Sequence, residues 1–183
     1  MVDISALSEL RGITSDEQGI RIGGLTSWSD IRTATLPPAL MGLRTAAAQV
    51  GGLQIQNAGS IAGNLCNASP AADGVPPLLT LDASIELRSA RGTRDLPLAE
   101  FLEGPRATGR AADEVLTAIR IPVLPASARG AFEKLGSRAY LVISVAMVAS
   151  LVRLGDDGRI AEARVAVGAA SPVATRLPAL EQD

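Results

Sequence analysis

Apolar residues in this chain fall mostly in short runs that Gly, Pro and Asp bring to an end, and most of these runs alternate with a period of two. Residues 20–25 (IRIGGL), 84–90 (SIELRSA), 115–121 (VLTAIRI), 131–136, 143–154 and 159–168 read as strands with one face toward a core. Residues 2–5 (VDIS) read as a strand already under way. One stretch departs to a helical period. Leu36, Leu40, Leu43, Ala47 and Val50 are spaced by four, three, four and three, and share one helix face. Pro37 and Pro38 are tolerated only in the first turn of that helix, and Gly51-Gly52 ends it. Ser27 or Ser29 would cap a helix after the 20–25 strand, and residues 78–82 and 98–101 read as short helices. Arg91-Gly92 turns the 84–90 strand toward a partner at residues 94–98. Gly155-Asp156-Asp157-Gly158 is a hairpin turn whose carboxylates are solvated and hold no metal. The fold class predicted is α+β.

Residues 122–130 (PVLPASARG) form the one convincing linker, and past them the pattern is purely β. A boundary near residue 125 therefore divides the chain into residues 1–124 and 125–183. With 47% hydrophobic residues and only four aromatics, Trp28, Phe101, Phe132 and Tyr140, the core is built from Ala, Val, Leu and Ile. Trp28 reads as packing. The longest apolar run, residues 139–152, is shorter than the roughly 20 residues a membrane-spanning helix needs. With no basic, apolar leader at the start either, the sequence predicts a cytoplasmic protein without a membrane span.

Composition excludes several chemistries. The chain has no histidine, so it holds no imidazole base and no histidine-ligated metal. Its single cysteine, Cys66, cannot form an internal disulfide or a Cys-rich metal site, and it reads as a small core residue. A net charge of −2, with one lysine and scattered arginines, argues against a nucleic-acid partner.

The informative segment is residues 54–77, QIQNAGSIAGNLCNASPAADGVPP. Gly59, Gly63 and Gly74 allow close backbone approach, while Ser60, Asn64, Asn67 and Ser69 offer uncharged hydrogen-bonding groups and Asp73 a carboxylate. Amides at such a turn entering a short helix can cradle a phosphate. The segment lacks both the Lys-Ser/Thr of a P-loop and G-x-G-x-x-G spacing. Local physics leaves a cofactor loop and an ordinary Gly/Asn-rich connection equally open, and it supports binding more than catalysis. Taken alone, Asp73 is equally a helix cap and Lys134 a plain surface charge.

The run NAGSIAGNLCNASPAADGVPPLLTLDA closely resembles the second flavin-binding motif of the FAD-binding subunits of molybdenum hydroxylases, the family of xanthine dehydrogenase and aerobic carbon monoxide dehydrogenase. The resemblance covers nearly the whole chain, from VDIS…LRGI and IRIGGLTSWSDI through VLTAIRIP to FEKLGSR…ISVAMVASLV. It implies the second subdomain of a PCMH-type FAD-binding domain, followed by the start of a carbon monoxide dehydrogenase flavoprotein C-terminal-type β-sheet domain. By resemblance, Ser60, Ile61, Gly63 and Asn64 lie at the FAD pyrophosphate and ribityl region. Asn67 adds a hydrogen bond, Asp73 binds ribityl hydroxyls and Lys134 lies near the flavin edge. No residue is assigned a catalytic role and none a metal.

The resemblance further implies an electron relay. Electrons would come from an iron–sulfur subunit, fed by a molybdopterin subunit, and leave FAD for NAD or another acceptor. The chain departs from the family pattern in several places. Ala62 replaces a second glycine and would crowd the phosphate loop by one methyl, Gln56 replaces a frequent arginine, and Val142 replaces an acidic residue before Ile-Ala. A further Gly-rich subdomain is expected ahead of VDIS and helices after Asp183, so the chain reads as the middle of a longer protein. The alternative is a structural or assembly component without flavin, whose strand edge at residues 2–4 would be an interaction surface.

Overall fold

A computed structural model describes residues 3–138 and 141–182. After a 3-10 turn at Ser8–Leu10, β1 (Ile13–Asp16) and β2 (Gly19–Gly23) form a hairpin. Asp16 Oδ1 accepts the Gln18 N–H at 2.8 Å, and Gly19 takes φ +128°, open to glycine at little cost. α1 (Trp28–Thr33) begins in a capping box: Ser27 Oγ accepts the Asp30 N–H, and the Asp30 carboxylate accepts the Ser27 N–H. A 3-10 turn at Pro38–Leu40 leads into α2 (Met41–Gln49). Three short helices follow, α3 (Leu53–Ala58), α4 (Ile61–Asn67) and α5 (Val75–Thr80). Then come β3 (Ser84–Ser89), β4 (Gly92–Pro97), the single turn α6 (Leu98–Phe101), a small hairpin of β5 (Leu102–Gly104) and β6 (Ala107–Thr108), and β7 (Val115–Ile121). The remainder is β8 (Arg129–Leu135), β9 (Ala146–Leu154), β10 (Ile160–Gly168), β11 (Thr175–Arg176) and α7 (Pro178–Glu181).

Apart from the β5–β6 hairpin, the strands make two antiparallel sheets, ordered β1-β2-β7-β3-β4 and β11-β10-β9-β8. Helices fill the space between them: α4 and α6 pack on the first sheet, α2 and α5 on the second. α5 is buried along its whole length, because both proline rings of Val75-Pro76-Pro77 sit in its first turn, where no backbone N–H is lost. Two glycines let α2 and the 3-10 turn before it lie close on β8. A Cβ on Gly130 would fall 2.1 Å from the Ala39 carbonyl oxygen, and one on Gly42 would fall 2.8 Å from that of Ala131. One apolar cluster runs through both sheets, joining Ile85, Leu87 and Ile119 to Leu151 and Ala166. The α+β class expected from the alternation is therefore the class observed.

Several expectations are corrected. Val2 lies outside the described residues, as do Ala139 and Tyr140 at the head of the long apolar run. Asp3 to Ser5 are not a strand, since Asp3 Oδ1 accepts the Ser5 N–H at 2.8 Å and this local turn displaces extended pairing. The expected strand edge there is replaced by β1. Residues 53–77, whose composition left a cofactor loop and an ordinary connection open, hold α3, α4 and the start of α5, each too short for a helical period to show. The 143–154 strand starts only at Ala146, because β8 ends at Leu135, the partner of Ala146. The core also uses aromatics: Trp28 and Phe101 are among its largest fully buried side chains, and Phe132 is buried as well.

Candidate functional site

Ser60 opens α4 and is bridged to Ser27 at the start of α1. Its hydroxyl oxygen accepts the Gly63 N–H at 3.1 Å. The other first-turn amides are also used. Ile61 N–H donates to Thr26 O, Ala62 N–H to Gly24 O and Asn64 N–H to Ser60 O. The α4 amides therefore do not form the open phosphate cradle that the Gly-rich segment suggested. What this turn offers a ligand is side-chain chemistry and the exposed backbone of Gly63. Among the described residues, the buried Asn64 Oδ1 has no hydrogen-bond partner. It lies beside Trp28 and Gly74: a Cβ at Gly74 would come within 3.1 Å of Asn64 Oδ1 and 2.5 Å of the indole. Gly74 is thus held by packing against Trp28, whose own role is packing, as expected.

The residue before Gly74 begins a second group. Asp73 Oδ2 accepts from Lys134 Nζ at 2.6 Å and Asp73 Oδ1 from Ser144 Oγ at 2.7 Å. Lys134 also reaches the Gln49 carbonyl oxygen at the end of α2, at 3.4 Å. Both charged side chains are only 7% exposed, so Lys134 is no surface charge, and each largely answers the desolvation of the other. Together they pin β8, the loop before α5 and the segment that carries Ser144 to one another. Beside this pair opens a cavity of about 540 Å³ lined by Lys134, Gly51, Leu135, Arg138, Leu141 and Val142. Val142 puts an aliphatic wall where an acid was the pattern, while Leu135 and Leu141 add exposed apolar surface.

The remaining candidates separate from these groups. The Ile61 side chain is fully buried in the core, which leaves no part of it for a ligand. Asn67 is exposed at the far end of α4, roughly 10 Å along the axis from Ser60. Ala62, expected to crowd a phosphate loop, packs close to Gly24, is 8% exposed and lines the same cavity as Ser60 and Gly63. Gln56, in place of an arginine, is buried and donates to Ala48 O at 3.1 Å. Sequence reasoning missed Ser144, one of two serines in an apolar run, and Arg110, a loop residue outside any motif. Arg110 shares a second cavity, of about 340 Å³, with Ser60, Gly63, Cys66 and Glu114. Burial pushes the Cys66 thiol up, against a smaller downward pull from Arg110. Glu114 is held down to about 2 by the Arg94 guanidinium, with the Ala111 N–H assisting.

The family model described as the FAD binding domain in molybdopterin dehydrogenase matches residues 1–124, which contain Ser60, Asn64 and Asp73. The chain belongs to that family. It is 38% identical over 185 residues to a xanthine dehydrogenase FAD-binding subunit of Escherichia coli O157:H7, covering all of this chain and 63% of the relative. It is 39% identical over 162 residues to a nicotinate dehydrogenase FAD-subunit of Eubacterium barkeri, covering 86% of this chain and 55% of the relative. Among solved structures, a carbon monoxide dehydrogenase from Hydrogenophaga pseudoflava superposes with a TM-score of 0.88 at 29% identity, over 95% of this chain and 60% of that one. The chain thus spans less than two thirds of the length of these relatives.

For a member of this family the relevant fit is to FAD. The donor set is mostly neutral. The unpartnered Asn64 Oδ1 suits a hydroxyl of a polyol or ribose, and the Ser60 hydroxyl still has its proton to donate. The α4 amides do not fit a diphosphate, being already bonded within the chain. Asp73 and Lys134 fit a role beside the ligand, as a rigid wall whose charges are already paired.

Proposed function

We propose that this chain is the FAD-binding part of the flavin subunit of a molybdenum-dependent hydroxylase, an oxidoreductase component that assembles with an iron–sulfur subunit and a molybdopterin subunit. The reading places it in the cytoplasm; among the described residues no helix is long and apolar enough to cross a membrane. It also treats residues 1–124 as the flavin-binding unit and 125–183 as the beginning of a second, β-rich unit. Bound FAD would supply the redox chemistry, taking electrons from the iron–sulfur partner and passing them to NAD or another acceptor. The protein's task is to bind and orient. Ser60, Gly63 and Asn64 hold the phosphate and sugar portions. Asn67 adds a contact from the end of α4, and Asp73 with Lys134 forms the wall toward the flavin ring.

The observation that carries this reading is the unpartnered Asn64 Oδ1, buried within the segment that matches the FAD-binding family. A buried acceptor without a donor costs about 1–3 kcal/mol, a penalty that a ligand hydroxyl would relieve. A second reading, a structural component without flavin, has its own support in the occupied α4 amides and in the mutual pairing of Asp73 and Lys134. One experiment separates the two. The purified chain is mixed with FAD, passed through gel filtration, and its visible spectrum recorded. A yellow protein peak supports flavin binding, and a colourless peak supports the structural reading.

A further inference from the structure

The 540 Å³ cavity beside β8 carries charge of one sign. Among the described residues its ionisable lining is Lys134 and Arg138, and no carboxylate joins them. The two cations differ in kind. Arg138 is exposed, so salt screens its charge, whereas the Lys134 side chain is nearly buried. An ammonium has three protons to donate. Lys134 gives one to Asp73 Oδ2 at 2.6 Å and one to the Gln49 carbonyl oxygen at 3.4 Å, which leaves the third for the cavity. The positive charge that Lys134 shows there therefore depends on how strongly Asp73 draws on it. The other carboxylate oxygen of Asp73 is answered from behind: Oδ1 accepts from the buried Ser144 Oγ at 2.7 Å. Of Lys134, Asp73 and Ser144, Lys134 alone lines the cavity.

We infer that Ser144 is a positioning residue of the flavin site, which fixes through Asp73 the charge that Lys134 presents to the cavity. The inference rests on the proposed FAD binding and adds to it the residue that sets the field at the ring. A hydrogen bond to a buried carboxylate is strong, and water does not replace it when it is lost. With Ser144 in place, the carboxylate charge is shared between a hydroxyl and an ammonium. Without it, Asp73 has Lys134 as its one side-chain partner among the described residues, draws the ammonium inward and cancels more of its charge. The loss falls unequally on the two redox forms of a flavin. A reduced ring carries more negative charge than an oxidised one, so it gains more from a nearby cation in a dry site.

The test compares the full chain with Ser144→Ala and Ser144→Thr, each loaded with FAD, in anaerobic spectroelectrochemical titrations. Binding of oxidised FAD is measured alongside. Ser144→Ala should weaken reduced FAD about tenfold more than oxidised FAD, which lowers the two-electron midpoint potential by about 30 mV. The shift should persist at high salt, because Lys134 and Asp73 are nearly buried. Ser144→Thr keeps the hydroxyl and should recover most of the shift. Thermal denaturation of each variant separates positioning from folding, since a looser wall weakens both redox forms alike and leaves the midpoint in place. A midpoint that is unchanged or raised in Ser144→Ala would overturn the inference and leave flavin binding standing, as would a shift that vanishes at high salt. A wild-type chain that binds no FAD overturns the proposed function and this inference together.

Discussion

Asp73 and Lys134 are the residues whose roles change most between sequence and structure. In the sequence, 61 positions apart, they read as a cap and a surface charge, or by resemblance as two separate flavin contacts. The fold places them 2.6 Å apart, both nearly buried, with Ser144 completing the coordination of Asp73. No local pattern could reveal this, because the pairing depends on how the second sheet docks against α5. Ser60 and Asn64, in contrast, were legible as uncharged hydrogen-bonding groups from the Gly- and Asn-rich composition of their own segment. The ion pair makes a sharp prediction. Lys134→Met leaves the Asp73 carboxylate buried without its cation and should cost about 3–5 kcal/mol in chemical denaturation. The double variant Asp73→Leu with Lys134→Met removes both charges and should return to within about 1 kcal/mol of wild type. If that restored protein binds FAD more weakly, the pair serves the ligand as well as the fold. A double variant as unstable as Lys134→Met would show that the charges are not what couples the two sites.

At the level of elements, strands with clear alternation and a bounding turn were legible: β3 with β4, β7, and β9 with β10. The elements that escaped are short or held by side-chain contacts. β1 exists through its turn to β2, and α3 and α4 through close neighbours on either side. The start of β7 is likewise fastened from outside. Glu114 binds Arg94 of β4 and the Ala111 N–H, so one carboxylate ties a sheet edge to the loop that carries Arg110. Its folded-state pKa, about 2, lies below the ordinary 4.5, so the unfolded chain takes up this proton first as the pH falls. The stability it contributes is complete above about 4.5 and is lost progressively as the pH drops toward 2. Denaturation midpoints measured across that window should fall in the wild type and fall less steeply in Glu114→Gln. Glu86, Glu162 and Glu181 are also held low, so a shallower slope should persist in the variant. For Glu86, burial works upward, and hydrogen bonds from Thr117, Arg21 and Arg120 outweigh it. Identical slopes in wild type and Glu114→Gln would remove this carboxylate from the account.

Across the whole molecule, two antiparallel sheets enclose a helical layer, and the candidate site lies along that layer. Ser60, Asn64 and Gly74 follow one another over Trp28, and Asp73 hands the strip on to Lys134 in the second sheet. The switch of sheets between β7 and β8 could be read from the prolines of residues 122–125. The continuity of the core across that switch could not, because it depends on glycine contacts such as Gly130 on Ala39 that no periodicity records. The proposed function requires this strip to hold FAD. Nuclear magnetic resonance of the isotope-labelled chain during FAD titration tests it most directly. Binding along the strip should shift signals at residues 60–64, including the Asn64 side-chain amide, and at Asp73 and Lys134. Unchanged spectra, or shifts confined to surfaces away from α4 and β8, would contradict it.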